Sequence, residues 1–471
     1  MTFNWRYFLI FAFTAITLSW MSAISGNFIF PLNLISNPAQ ATDNLNVSTA
    51  SYLGSDADDF GTAVAINPDR TILFTGQIPR HNFGLTPVNL LGGGDGVILQ
   101  TDTTGKELLS LTRMGTLIDD IEVNSRTGKI AVVGDFGLAL LGDVQTLLWH
   151  QELGSGGSAT MSNGRRVAMG TDGTIAALFN KKITIFDESG TVVSEFLIPG
   201  KFVEDVAIHS PSQSIIMTGY SQKDRGGCRQ LQVAFIRSYD YQGNLNWTNY
   251  DWTHAEAHGG NSSCADTRGS RVTLGLDGNL YFAGESAGGN TIFRYDPRDL
   301  SKDAPNVIFD PFNHPYNTAS NHITYYARFD PVNGEIKGGQ FNLSRLSNGR
   351  GNTIIPRAIA ADEQGNLYIG GQSSASFANR NQSTISGQSG AYAATDNFVL
   401  AVPSDFMTRT FMVSWNKGCQ GNNQVVGIAT GYGITAMISD TAGCDMITVN
   451  PVQGKPQGGT DILYSVWETE P

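Results

Sequence analysis

The segment YLGSDADDFGTAVAINPDRTILFTG, Tyr52 to Gly76, recurs in degraded form along the whole 471-residue chain. It holds a short run ending at Leu53-Gly54, an acidic turn from Ser55 to Asp59, the run Thr62-Ala63-Val64-Ala65-Ile66, a polar turn at Asn67-Pro68-Asp69-Arg70, and the run Thr71 to Thr75 closed by Gly76. Apolar runs this short, bounded by Gly, Pro, Asn and Asp, form β-hairpins rather than helices. Length alone suggests about three domains at roughly 150 residues each. The repeat overrides that count, because one hairpin unit cannot bury its faces alone and must stack on its neighbours.

Aligning the innermost strand of each unit gives Val64-Ala65-Ile66, Ile121-Glu122-Val123, Val167-Ala168-Met169, Val206-Ala207-Ile208, Val272-Thr273-Leu274, Ile359-Ala360-Ala361 and Val426-Gly427-Ile428. Polar turns such as Asp172-Gly173, Asp277-Gly278-Asn279 and Gln364-Gly365-Asn366 follow most of them, and Asx-Gly pairs suit the positive φ of hairpin turns. Second strands end in Gly76, Gly134, Gly219, Gly284 and Gly370. Four strands in each of seven units, without helical periodicity, predict an all-β fold: a seven-bladed β-propeller of four-stranded antiparallel blades over residues 42–471. The last unit lacks one strand after Asp461 to Trp467, and a spare strand precedes the first unit. The N-terminal strand is therefore expected to complete the last blade and close the ring, which removes exposed sheet edges.

The unit at Tyr52 to Gly76 resembles the SBBP-type β-propeller repeat of secreted bacterial proteins. GLDGNLYFAG (Gly275 to Gly284) and ADEQGNLYIGG (Ala361 to Gly371) are similar to its later half. Gly94-Asp95, Thr395-Asp396 and Thr460-Asp461 match the Asp that opens its third strand, whereas units two, three, four and seven lack parts of the pattern. The resemblance implies a propeller and export, and it brings no catalytic residues.

Residues 1–41 read as a signal peptide: Arg6 supplies the positive region, Tyr7 to Ser19 the apolar region, and Ala39-Gln40-Ala41 the small-x-small cleavage site. A retained anchor over Tyr7 to Ile24 is the rival reading, since about 18 apolar residues just span a bilayer. Cleavage leaves a chain with no membrane span, exported to the periplasm, the cell surface or the medium. In an oxidising compartment its four cysteines pair as disulfides, Cys228 with Cys264 and Cys419 with Cys444, each pair local to one blade. The net charge of -12 and the scatter of Lys and Arg exclude nucleic acid as a partner.

Long insertions at Gln77 to Gly94, Glu285 to Asn321, Gln372 to Asp396 and Ser439 to Thr460 share one face, the top, where binding resides on a rigid scaffold. There His254, Glu256, His258 and Asp266, with His314 and His322 from the next blade's insertion, form a candidate ligand site. Such residues hold Zn²⁺ or supply a general base, although the spacing is not HExxH and the histidines also read as solvated loop residues. Asp120, Arg166, Asp205 and Arg271 alternate in sign at the mouth of the central channel, as inter-blade ion pairs or as contacts for a charged ligand. Asp56, Asp58 and Asp59 offer oxygens to Ca²⁺ or form a solvated turn. Gly284-Glu285-Ser286-Ala287-Gly288 spells a nucleophile elbow, but no helix follows it, so the motif is coincidental. The reading is a monomeric exported scaffold that binds a protein, small molecule or glycan on its top face. The alternative is a hydrolase or lyase using the His and carboxylate groups there, with or without a divalent metal. Propellers host both.

Overall fold

Each of the seven aligned runs is part of the first strand of its own antiparallel sheet. The computed structural model describes residues 44–153, 164–200, 202–226, 228–259, 263–305, 322–348 and 351–469; the proposed signal segment and His314 lie outside these. In chain order the first strands are Phe60–Ile66, Ile118–Val123, Arg166–Met169, Phe202–His209, Thr267–Leu274, Ile354–Ala361 and Gln424–Gly431. Three further strands follow in sequence order in each of the first six sheets, and the first sheet adds a fifth, Val88–Asn89, parallel to its strand Leu108–Arg113. In the seventh only Ile434–Thr441 and Asp461–Glu468 follow, and the outer place is taken by Thr49–Leu53, antiparallel to Asp461–Glu468 from Thr49 opposite Val466 to Leu53 opposite Ile462. Among the described residues the helical elements are one short α-helix, His254–Gly259, and two 3₁₀ turns. No helix among them is long and apolar enough to cross a membrane.

Apolar side chains alternate along the strands, so both faces of a sheet are clothed and each packs on a neighbour. One cluster joins Leu73, Ile98 and Ile121 of the first two sheets. Equivalent clusters join each later sheet to the next. Leu53, Val64, Phe74, Ile438 and Tyr464 form a further cluster between the seventh sheet and the first.

In six sheets the first strand carries a β-bulge at an equivalent place. The register shifts between Gly61 and Ala63, Ile118 and Asp120, Val203 and Asp205, Gly269 and Arg271, Pro356 and Ala358, and Val425 and Gly427. This explains the second-strand glycine, which ends its strand only at Gly134 and in the sixth sheet is Gly371 rather than the expected Gly370. A Cβ on Gly76, Gly134, Gly219, Gly284 or Gly371 would run into a carbonyl oxygen of the adjoining first strand, those of Phe60, Leu117, Phe202, Arg268 and Ile355 respectively. The seventh sheet uses Ser439 instead, whose Oγ donates to Gln424 O at 2.8 Å. The bulge also corrects the sequence alignment of that sheet: Gly427, not Val425, stands level with Ala63 and Asp120. Val425, Val426 and Ile428 are all apolar, so hydrophobic alternation cannot detect this two-residue slip.

Cys228 and Cys264 are bonded with Cα atoms 5.3 Å apart, and Cys419 and Cys444 with 5.7 Å, as expected. The first bridge ties the turn between Ser214–Gly226 and Arg229–Asp240 to the approach of the fifth sheet. Non-reducing peptide mapping should recover these two cross-links. Each closes a loop of 36 or 25 residues, worth about 3–4 kcal/mol in the chain-entropy model. Reduction should therefore lower the melting temperature; four free thiols, or a 228–419 link, would contradict the pairing.

Candidate functional site

A β-bulge inserts one residue and re-aims the side chains beside it. Here the inserted residues are Thr62, Asp119, Glu204, Ser270, Arg357 and Val426, and all six line one cavity of about 760 Å³. Arg165, immediately before the first strand of the third sheet, lines it too. The residues one step on, Asp120, Arg166, Asp205 and Arg271 among them, line a second cavity of about 520 Å³. Thr62, Arg166, Arg271 and Val426 border both.

The charges in the outer cavity fall into two sets. Arg165 donates to Asp119 at 2.8 Å and lies 5.3 Å from the centre of the Phe179 ring. Arg268 reaches Glu285 at 3.0 Å and Gln232 Oε1 at 2.6 Å. His322 Nδ1 lies 3.2 Å from Glu285 Oε2, a close charge contact without hydrogen-bond alignment. Burial raises the Glu285 carboxyl, but His322, Arg268 and Arg357 outweigh it and hold the group below its ordinary range. The second set is Arg166, Arg271, Arg357 and Glu204. Burial pushes Glu204 up to about 7, against the pull of Arg271, Arg166 and Arg357.

The four residues read as a channel mouth do converge, though not as direct ion pairs. Asp120 accepts from Val167 N at 3.1 Å, and Asp205 from Val272 N at 3.1 Å. These carboxylates thus stitch the second sheet to the third and the fourth to the fifth through backbone donors. Burial lifts Asp120 to about 6, with Arg166 opposing. Deeper in, Glu122 is enclosed by protein yet reached by solvent through the inner cavity, and burial with Asp120 and Asp205 lifts it to about 8.

These shifts set a pH dependence. Asp120, Glu122, Glu204 and Asp440, the last lifted to about 7 by burial, all hold protons in the folded state that the unfolded chain releases near pH 4. The native state then binds more protons than the unfolded one, so stability falls as pH rises from about 4 to about 8. Burial depresses the pKa of His209, which opposes the trend weakly. The melting temperature should be highest near pH 4 and drop on the order of 5 °C by pH 8. A scan that rises over that interval would show that these carboxyls are ionised at no cost.

The histidine site divides. His254 and His258 stand one turn apart on the His254–Gly259 helix with ring centres 5.7 Å apart, not on a loop. His258 Nδ1 is 3.1 Å from Cys228 Sγ and 3.5 Å from Cys264 Sγ, and bridged sulfurs are not thiolate ligands for a metal. Glu256 accepts from Thr253 N at 2.8 Å and Oγ1 at 2.7 Å, while its own N–H donates back to Thr253 Oγ1. That is a capping box, legible in Thr253-His254-Ala255-Glu256 and passed over in the sequence reading. Asp266 Oδ1 receives Gln232 N at 2.8 Å. Among the described members of this set, His322 alone lines the outer cavity.

Asp59 is fully buried, its carboxylate receiving Ser55 N at 2.6 Å and Ser55 Oγ at 2.9 Å, so it is not part of a solvated turn. Ser286 is likewise buried, with Oγ donating to Gly288 O at 2.9 Å, which removes any nucleophile from the elbow-like motif.

No curated protein matches the chain. Residues 343–378, which span the first two strands of the sixth sheet with the Arg357 bulge and Gly371, match the family model of the SBBP β-propeller repeat, so the chain carries that repeat.

Proposed function

We propose that this chain is an exported binding module. Its seven sheets are the blades of one ring closed by Thr49–Leu53, and its ligand site is the bulge-lined mouth. One observation carries the reading. The inserted residue has the same backbone setting in six sheets, yet it is Thr, Asp, Glu, Ser, Arg or Val. A position that the fold required would be uniform, as the facing glycine nearly is. Chemical variety at equivalent positions around one cavity is what recognition uses. Two disulfides and the N-terminal segment support export, and mature protein from the envelope should begin at Thr42.

A thermal-shift screen of metabolites and glycans tests the site. Hits that stabilise the wild type should lose their effect in Ser270→Trp, which fills the mouth from the fifth sheet. Equal stabilisation of both proteins would move the site elsewhere.

A second reading has its own observation. The His322–Glu285 contact faces the same cavity as Arg357 and Tyr220, and an imidazole backed by a carboxylate serves as a general base. A hydrolase or lyase would use it there, and His322→Gln would then abolish turnover without removing ligand binding. His254, His258 and His314 remain a separate proposal, tested by metal analysis of His254→Ala/His258→Ala against wild type.

A further inference from the structure

We propose that Arg166, Arg271 and Arg357 bind a small oxyanion carrying at least two negative charges in the outer cavity. The proposal rests on the mouth being the ligand site and adds the chemical class of the ligand.

Five arginines line this cavity, and two are committed: Arg165 to Asp119, and Arg268 to Glu285 and Gln232. Among the described residues the other three have no carboxylate oxygen within 4.0 Å. Arg271 donates to its neighbour's carbonyl, Ser270 O, at 2.7 Å. The Nε atoms of Arg166 and Arg357 are buried without a hydrogen-bond partner. Buried donors left unpaired are costly, and the three arginines come from three different sheets onto one space.

Asp120, Asp205, Asp119 and Glu204 outweigh the burial of Arg166 and raise its pKa, but they do not offset the burial of Arg271 and Arg357. Asp120 and Asp205 spend oxygens on the N–H groups of Val167 and Val272. Burial and the repulsion of Arg166 bring Arg271 down to about 10, despite Asp205 and Glu204. Burial also depresses Arg357. Positive charge at Arg271 and Arg357 is thus under-compensated in a protein whose net charge is -12.

That contrast argues for a small ligand. The protein's overall negative field repels anions and is screened beyond a Debye length of about 8 Å, so attraction must come from contacts inside the mouth. A cavity of about 760 Å³ suits a ligand of metabolite size. Guanidinium forks pair with carboxylate or phosphate oxygens two at a time, and three of them call for more than one charge. Glu204, within the influence of all three, is the internal competitor that a ligand must outbid.

Titration calorimetry of the purified protein with citrate, inorganic phosphate and acetate tests this. Citrate or phosphate should saturate with Kd at or below about 1 mM, and acetate should bind at least about tenfold more weakly. Arg271→Gln and Arg357→Gln should each weaken binding about ten- to a hundredfold. Glu204→Gln should tighten it about tenfold, a gain that misfolding cannot mimic. Citrate without phosphate assigns a polycarboxylate, and phosphate without citrate a phosphate compound; both support the proposal. No saturation by either anion at about 10 mM, or affinities untouched by both arginine changes, overturns it. Sucrose, maltose and cellobiose separate this failure from that of the parent reading. If one of them binds and Ser270→Trp abolishes it, the mouth is a binding site for uncharged ligands and only the anion falls. If neither anions nor sugars bind, both fall.

Discussion

Deleting Asn44 to Gly54 leaves a protein without a cooperative melting transition at physiological temperature, whereas deleting residues 469–471 lowers the melting temperature by only a few degrees. The five residues of Thr49–Leu53 are all buried. Tyr52 packs in the cluster that holds Trp415 and Trp467, while Leu53 packs with Val64, Phe74 and Tyr464 on the other face. Tyr52 Oη also donates to Cys444 O at 2.6 Å and accepts from Met446 N at 2.7 Å. At roughly 1.5–3 kcal/mol per large side chain, the lost burial alone reaches about 5 kcal/mol. The deletion further strips the partner from Asp461–Glu468, exposing its backbone donors and acceptors as a free sheet edge. A total stability of about 5–15 kcal/mol cannot absorb both losses. Among the described residues the short C-terminal deletion removes one backbone bond, Thr469 N to Gly433 O, and one hydroxyl contact to Thr435. Thermal melts of the two truncations decide the matter, and equal midpoints would mean that Thr49–Leu53 holds nothing closed.

The first strands are legible because each is apolar, short and followed by an Asx-Gly or Pro-containing turn, so local chemistry and packing agree. The site is less so. Asp120, Arg166, Asp205 and Arg271 stand out as a column in the alignment, but Glu204, Arg357, Asp119 and Arg165 each sit one place earlier. Strict alternation would turn them away from the cavity. The bulge lets Asp119, Glu204 and Arg357 line the outer cavity while Asp120 and Asp205 line the inner one, and its trace in the sequence is the second-strand glycine, expected there only as a strand end. The seventh sheet hides its register because Val425, Val426 and Ile428 are equally apolar, although Val425 and Ile428 pack against the sixth sheet and Val426 against the first. Arg268 and Glu285 give no local signal, since their pairing depends on two strands of the fifth sheet meeting in register.

Replacing Arg380 by Met should be the most damaging single side-chain change in the sixth sheet. Arg380 lies in the insertion between Leu367–Ser373 and Asp396–Val402, with its side chain and that of Asp396 wholly buried. Its Nε reaches Asp396 Oδ2 at 2.5 Å, and Nη2 reaches Asn416 O at 2.7 Å and Ser414 Oγ at 3.3 Å. One arginine thus fastens the insertion to the third strand and to the segment beyond the fourth. The same insertion carries Thr384–Ile385, which pairs in parallel with Asn44–Leu45 just before Thr49–Leu53. Removing either charge strands the other in the core, at about 3–5 kcal/mol. Burial still holds Asp396 above its ordinary range despite Arg380, so desolvation cancels much of the attraction within the pair. Arg380→Met/Asp396→Leu should therefore cost no more than either single change, because the double variant leaves no unpaired charge. Denaturant unfolding of the three variants measures the coupling. Additive losses would show instead that each side chain acts through its own contacts, and singles costing under about 1 kcal/mol would show that the insertion is held by its backbone.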